Sequence, residues 1–275
     1  MKFTKMHGCG NDYVYVNCLD EVIEDRSLTA VKVSDRHFGI GSDGLICIDP
    51  SDVADFKMDM YNADGSQGKM CGNGIRCVGK YVYDYGLTDK TCITVETLAG
   101  IKELELSVVN HKVESVRVCM GKPDFTSSNI PVVSDKETAV EVNVSIQGRD
   151  YTLTCVSMGN PHSVIFVEDV ESIDLAQIGP LFENHSIFPE RINTEFVQVL
   201  ENGDLRMRVW ERGSGETLAC GTGTCAALAA AVVCGKTSRS ANVYVKGGVL
   251  SIEWSAKDDM IYMTGPAEIV FEGQI

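Results

Sequence analysis

Apolar and polar positions alternate with a period of two along many short stretches of this 275-residue chain. Phe56-Lys57-Met58-Asp59-Met60-Tyr61 and the run 140–146 are clean cases, and each reads as a half-buried strand. The same reading places strands at 2–8, 13–17, 45–48, 91–96, 102–109, 113–119, 151–156, 196–200, 205–210, 243–246, 249–254 and 261–264. Gln147-Gly148-Arg149-Asp150 and Asn202-Gly203 join two of these pairs as hairpins. Residues 25–37 and 174–184 read as helices. The stretch 120–135, with Pro123 and Pro131, reads as a linker, and 267–271 as a strand returning to the first half.

Two more helical runs follow a shared stretch. The first is Cys71-Gly72-Asn73-Gly74, running on to Gly86; the second is Cys220-Gly221-Thr222-Gly223, running on to Gly235. In the first copy, Ile75, Val78, Val82 and Tyr85 recur at helical spacing. The second is apolar all round from Cys225 to Cys234, as a fully buried helix would be. Gly86 and Gly235 sit where a helix end favours a left-handed residue. Cys71 and Cys220 lie 149 positions apart, and so do Gly86 and Gly235, Gly10-Asn11 and Gly159-Asn160, Asp25 and Asp174, and Asn62 and Glu211. Self-similarity at one offset over most of a chain marks a duplication. The expected fold is α+β: two pseudo-symmetric halves, each a mostly antiparallel sheet wrapped around a central helix, with the active site in the cleft between them. The expected boundaries are 1–118, with 264–275 returning to it, and 119–263.

A helix N-terminus carries about half a positive charge and several unpaired N–H donors. It holds anions such as a carboxylate, and it favours a thiolate over a thiol, so both cysteines are expected to be acidified. Two such elements point to two thiols sharing one substrate. One thiolate takes a proton from carbon, a thiol on the opposite face returns one, and a stereocentre inverts. The helix ends stabilise the charge that develops on the neighbouring carboxylate.

Composition narrows the class. A hydrophobic content of 44% and a charged content of 23% are those of a globular protein. A net charge of -15 argues against nucleic acid or an anionic membrane as partner. The longest apolar run, from Cys225 to Cys234, is too short to span a bilayer. Eleven cysteines without a C-x-x-C pair, behind a polar Met1-Lys2-Phe3-Thr4-Lys5 opening, suggest a reduced cytoplasmic setting and no metal site. Cys77, Cys225 and Cys234 read as helix core.

The segments Met6-His7-Gly8-Cys9-Gly10-Asn11-Asp12, Tyr61-Asn62-Ala63-Asp64-Gly65-Ser66, Met70-Cys71-Gly72-Asn73-Gly74-Ile75-Arg76-Cys77, Gly159-Asn160-Pro161-His162, Glu211-Arg212-Gly213-Ser214-Gly215-Glu216-Thr217 and Ala219-Cys220-Gly221-Thr222-Gly223 resemble the diaminopimelate epimerases over nearly the whole chain. The resemblance implies a cofactor-independent, cytoplasmic homodimer. Its activity would interconvert LL- and meso-diaminopimelate for lysine and peptidoglycan synthesis. It makes Cys71 and Cys220 the acid/base pair. Asn11, Asn62, Asn160, Asn193 and Arg212 would bind substrate, with Glu211 near the reacting amino group. Gly72-Asn73 and Gly221-Thr222 would offer backbone N–H donors, and His162 would tune the site. Some members carry a substrate-contacting Gln where this chain has Gly44, so Gly44 is left out of the site. The rivals are a racemase of proline, hydroxyproline or histidine on the same fold, against which Asn73 stands in place of His, and a thiol-based redox or metal-sensing protein, for which no ligand spacing is visible.

Overall fold

The computed structural model describes all 275 residues, which divide into two compact units: Met1–Cys119 with Thr264–Ile275, and Met120–Met263. In the first unit the strand Lys2–Gly8 pairs antiparallel with Asn11–Asn17 on one side and with the C-terminal strand Glu268–Gln274 on the other. Asn11–Asn17 runs parallel to Gly44–Asp49, which pairs antiparallel with Phe56–Asn62. Phe56–Asn62 runs parallel to Cys92–Thr97, and antiparallel partners Gly100–Val109 and Lys112–Gly121 follow.

The second unit repeats this order with Val142–Ile146, Arg149–Ser157, Pro161–Phe166, Asn193–Val199, Leu205–Glu211, Ser240–Val245 and Gly248–Trp254. The duplication extends to register. Tyr13 opposes Gly44 across one parallel pair, and His162 opposes Asn193 across the other, each residue shifted by the same 149 positions. After the central helices the offset falls by one: Cys92 opposite Glu105 matches Ser240 opposite Glu253.

Four α-helices complete the chain: α1 (Arg26–Ser34), α2 (Gly72–Asp84), α3 (Leu175–Glu183) and α4 (Gly221–Val233). Asp25 and Asp174 cap α1 and α3, accepting from the Leu28 and Gln177 N–H groups. α1 stops short of the expected residue 37 because the Asp35 carboxylate accepts from the His37 and Phe38 N–H groups at 2.7 and 2.8 Å, a turn that competes with the helix. α2 packs on Lys2–Gly8, Asn11–Asn17 and Gly100–Val109, and α4 on the sheet of the second unit. Gly86 and Gly235, at φ 71° and 66°, end them in the left-handed region.

α4 is sealed by Ala226–Ala231, all without exposure. α2 is buried as deeply despite Arg76 and Lys80. Lys80 pairs with Asp84 at 2.9 Å and donates to the Val113 carbonyl at 2.6 Å, while Arg76 donates to the carbonyls of Gly72 and Pro266. Buried charge is tolerated where its donors are engaged in this way. The stretch 120–135 is not a free linker. It forms one 3-10 turn at Ser127–Asn129, and Ile130 and Val132 sit in the core of the second unit with Phe182, Phe188 and Phe196.

Candidate active site

Each unit places a cysteine at the N-cap of its central helix, in extended backbone, as the repeat implied. In the first unit the Cys71 sulfur accepts from the Gly74 N–H at 3.3 Å and donates to Asn11 Oδ1 at 3.1 Å. Asn73 Nδ2 donates to the same oxygen at 3.4 Å. Asn11 Nδ2 in turn donates to Asp43 at 2.7 Å, and Arg36 pairs with Asp43 and Asp12. Burial would push the Asp12 carboxyl up, but hydrogen bonds from Arg36 and Lys5 outweigh it and hold that carboxyl below the usual range. The buried Tyr13 hydroxyl is pushed well up, first by burial and then by Cys71 and Asp43.

Asn62 ends its strand and donates to the Ser66 hydroxyl at 3.0 Å. Gly44 lies opposite Asn62 in the ladder, and a Cβ built there would stand 2.1 Å from the Tyr61 carbonyl oxygen. This backbone therefore leaves little room for any side chain at Gly44. Gly44→Gln should lose roughly 1–3 kcal/mol of stability, the usual cost of overpacking, in a urea titration. An unchanged midpoint would show that the strand can yield.

In the second unit the Cys220 sulfur lies 3.5 Å from Thr222 Oγ1 and hydrogen-bonds to the Glu211 carboxylate. Glu211 also accepts from the Thr217 hydroxyl at 2.5 Å. The expectation that the helix end acidifies this cysteine fails. Burial is the largest influence, the Glu211 and Glu195 carboxylates act the same way, and together they push the thiol well up. Donation from Thr222 and the Gly223 N–H opposes them and is outweighed. The physical reason is the enclosure, since a helix end offers only about 0.3–2 kcal/mol against desolvation and two carboxylates. Burial also raises the Glu211 carboxyl, against the hydrogen bonds from Thr217 and Cys220.

His162 is fully buried between Glu195, 2.7 Å from its Nδ1, and Asn160, 3.0 Å from its Nε2; Asn160 Nδ2 reaches Thr222 Oγ1 at 3.2 Å. Asn193 has both ends of its carboxamide engaged, donating to the Pro161 carbonyl at 2.8 Å and accepting from the Arg212 N–H at 2.9 Å. It thereby fixes the backbone that carries Arg212. The Arg212 guanidinium donates to the Glu190 carbonyl at 3.0 Å and has no carboxylate partner in the chain. Gly72 opens α2 and Gly221 opens α4.

Sequence reasoning missed Asp43, Thr217 and Glu195. None of them left a signal: even Glu195 stands among the polar Asn193, Thr194 and Gln198 of its strand. Among the remaining thiols, burial pushes Cys77 up to about 12, as a core cysteine requires. No group of three or more His, Cys, Asp or Glu side chains is placed to hold a metal ion.

Two units of this kind, each a mostly antiparallel sheet with a central helix packed on it, make an isomerase-type fold that the chain shares with solved structures of distant sequence. The chain superposes on a probable proline racemase from Agrobacterium radiobacter K84 with TM-score 0.71 at 14% identity, covering 100% of this chain and 92% of the other. A hydroxyproline epimerase from Agrobacterium vitis gives 0.69 at 13%, covering 99% and 91%.

The match that goes beyond fold lies in sequence. The family model for diaminopimelate epimerase matches residues 3–126 and 154–270. Diaminopimelate epimerases from Acetivibrio thermocellus and Methanococcus maripaludis are 58% and 57% identical over all of this chain and 98% and 99% of their own lengths. The chain belongs to the diaminopimelate epimerase family and is an enzyme of that isomerase class.

Proposed function

We propose that this enzyme inverts one α-carbon of LL-2,6-diaminopimelate to give the meso isomer, in lysine and peptidoglycan synthesis. Cys71 and Cys220 act as the two bases, and the protein itself, without a cofactor, stabilises the carbanion. The observation that carries the reading is the matched pair of cysteine N-caps, 149 residues apart, in a chain of this family. The high-lying Cys220 thiol beside the Glu211 carboxylate suits a proton donor. Asn11 and Asn73 stand beside the Cys71 sulfur and Asn160 beside Thr222 at the start of α4, amide groups suited to an α-amino acid, and the N–H groups of Gly72, Asn73, Gly221 and Thr222 at the helix starts suit its carboxylate. Asn62 and Asn193 complete the substrate contacts, Glu211 faces the amino group, and His162 tunes the second thiol. The working enzyme is a cytoplasmic homodimer that needs no nucleic acid or membrane. The deciding assay is turnover of purified protein on LL-diaminopimelate, with proline, hydroxyproline, histidine and lysine as controls. Inversion of one of the controls alone would replace the substrate.

Diaminopimelate carries a second carboxylate, and the Arg212 guanidinium has no protein carboxylate to pair with. Its planar fork matches a carboxylate bidentately, which a point charge cannot do. Arg212→Lys should lose roughly 10–100-fold in kcat/KM, the equivalent of a charge-assisted contact. Activity within about twofold of the parent would remove Arg212 from the site.

A further inference from the structure

Gly179 stands in the middle of α3, where a glycine weakens a helix. The structure gives the reason for it: a Cβ there would lie 2.3 Å from Cδ2 of Trp210, so only bare backbone lets the indole lie against the helix. One helical turn further on, along the same face, Glu183 accepts from the indole Nε1–H at 2.7 Å through Oε2. Its Oε1 accepts from the Gly213 N–H at 2.9 Å and from Arg191 Nη1 at 3.1 Å. Glu183 is only 6% exposed. All three partners can do nothing but donate, so the direction of each bond is fixed whichever protons the carboxyl carries.

Between Trp210 and Gly213 lie Glu211 and Arg212. The chain turns there, with the Ser214 N–H on the Glu211 carbonyl at 3.0 Å and Gly213 at φ 80° in the left-handed region. Such a turn gives the N–H groups of its two central residues, Arg212 and Gly213, no partner of its own. Asn193 Oδ1 takes the first and Glu183 Oε1 the second. The first N–H belongs to the peptide before the Arg212 Cα and the second to the peptide after it. We propose that Glu183 is a positioning residue for Arg212: together with Asn193 it holds both peptides that flank the Arg212 Cα, and so sets the direction in which the guanidinium leaves the turn. The first unit lacks the carboxylate and the arginine together. At the positions 149 residues earlier stand Ala30 for Gly179, Ser34 for Glu183, Gly44 for Asn193 and Ala63 for Arg212.

The proposal rests on the reading of Arg212 as the residue that meets the distal carboxylate of the substrate. Glu183→Met keeps the length of the side chain and removes both acceptors, and the N–H of the exposed Gly213 then turns to water. KM for LL-diaminopimelate should rise roughly tenfold with kcat much less changed, because the distal carboxylate is held alike in the ground and transition states. Simple loss of folded protein would do the reverse, lowering kcat at constant KM. Glu183→Gln has one oxygen left, and it goes to the side with two donors, Gly213 and Arg191, with the amide nitrogen against the indole. Most of the loss in KM should therefore be recovered in that variant, although the Trp210 indole N–H signal shifts in nitrogen NMR. On top of Arg212→Lys, Glu183→Met should raise KM no further, because both act through one side chain. A KM for Glu183→Met within about twofold of the parent, equal losses in the Met and Gln variants, or a full further rise on top of Arg212→Lys would each overturn the proposal. Hydrogen exchange on the parent needs neither a variant nor turnover: the Gly213 amide should be protected, and exchange at the unprotected rate would overturn the proposal as well. If Arg212→Lys itself keeps the parent's activity, Arg212 leaves the site, while protection of Gly213 still decides whether Glu183 holds the turn, so the two readings fail separately.

Discussion

Early product formed from the LL isomer in deuterium oxide should carry deuterium at the inverted carbon, while the remaining LL pool stays largely unlabelled. The base thiolate picks up protium from the substrate, and the opposite thiol, equilibrated with solvent, delivers deuterium. Substrate that reverts regains the protium it gave. A single base serving both faces would instead hand substrate protium to the product, and early product rich in protium would reject the pairing of Cys71 with Cys220. The corresponding variants should be inert. Cys71→Ala or Cys220→Ala leaves one face with no proton donor or acceptor, and loss of a positioned acid or base typically lowers kcat by roughly 10²–10⁴-fold. Both residues stand at helix N-caps, but Cys71 is only half-buried, and the Cys220 side chain makes no capping hydrogen bond, so Ala fits there with the loss of one sulfur atom. The variants should therefore keep a far-ultraviolet spectrum like the parent's, which separates lost chemistry from lost fold.

The largest effect on stability is expected at Arg26, far from either sulfur in sequence. Its guanidinium donates two hydrogen bonds to Asp49, at 2.6 and 2.7 Å, and one to Asp59 at 2.6 Å. Both aspartates are nearly buried, at 12% and 10% side-chain exposure, and Asp59 also accepts from Gln67. Arg26 thus ties the start of α1 to the strands Gly44–Asp49 and Phe56–Asn62, the second of which ends at Asn62. Its own charge is held more firmly than usual, chiefly by the hydrogen bonds to Asp49. Arg26→Met keeps the packing of the stem but leaves two carboxylates facing each other with no cation. Breaking a buried pair from one side costs about 3–5 kcal/mol, and Arg26, a quarter exposed, belongs near the lower end. Urea denaturation at neutral pH should show a loss of about 3 kcal/mol, and adding Asp59→Asn to the variant should recover part of it. A loss under about 1 kcal/mol would mean that water replaces the guanidinium at little cost.

Much of this enzyme was already determined by its sequence. Period-two alternation placed the strands, because one face of each is buried and side chains in a strand alternate sides. The common offset of 149 residues gave the duplication, and it reappears in the pairing of Tyr13 with Gly44 and of His162 with Asn193. Cys71 and Cys220 were legible as helix caps because a cysteine before Gly-x-Gly and an apolar run can hardly sit elsewhere. Burial of charge was not legible. Arg76 and Lys80 look like the wet face of α2, yet distant segments cover them, and the carbonyls of Pro266 and Val113 satisfy them. The same holds at the site. A helix start predicts an acidified cysteine from local geometry alone, whereas the state of Cys220 is set first by burial and then by Glu211 and Glu195, carboxylates contributed by two other strands. Local spacing reports what one segment does by itself. The proton on a buried sulfur depends on desolvation and on charges a few ångströms away, and only tertiary packing brings those together.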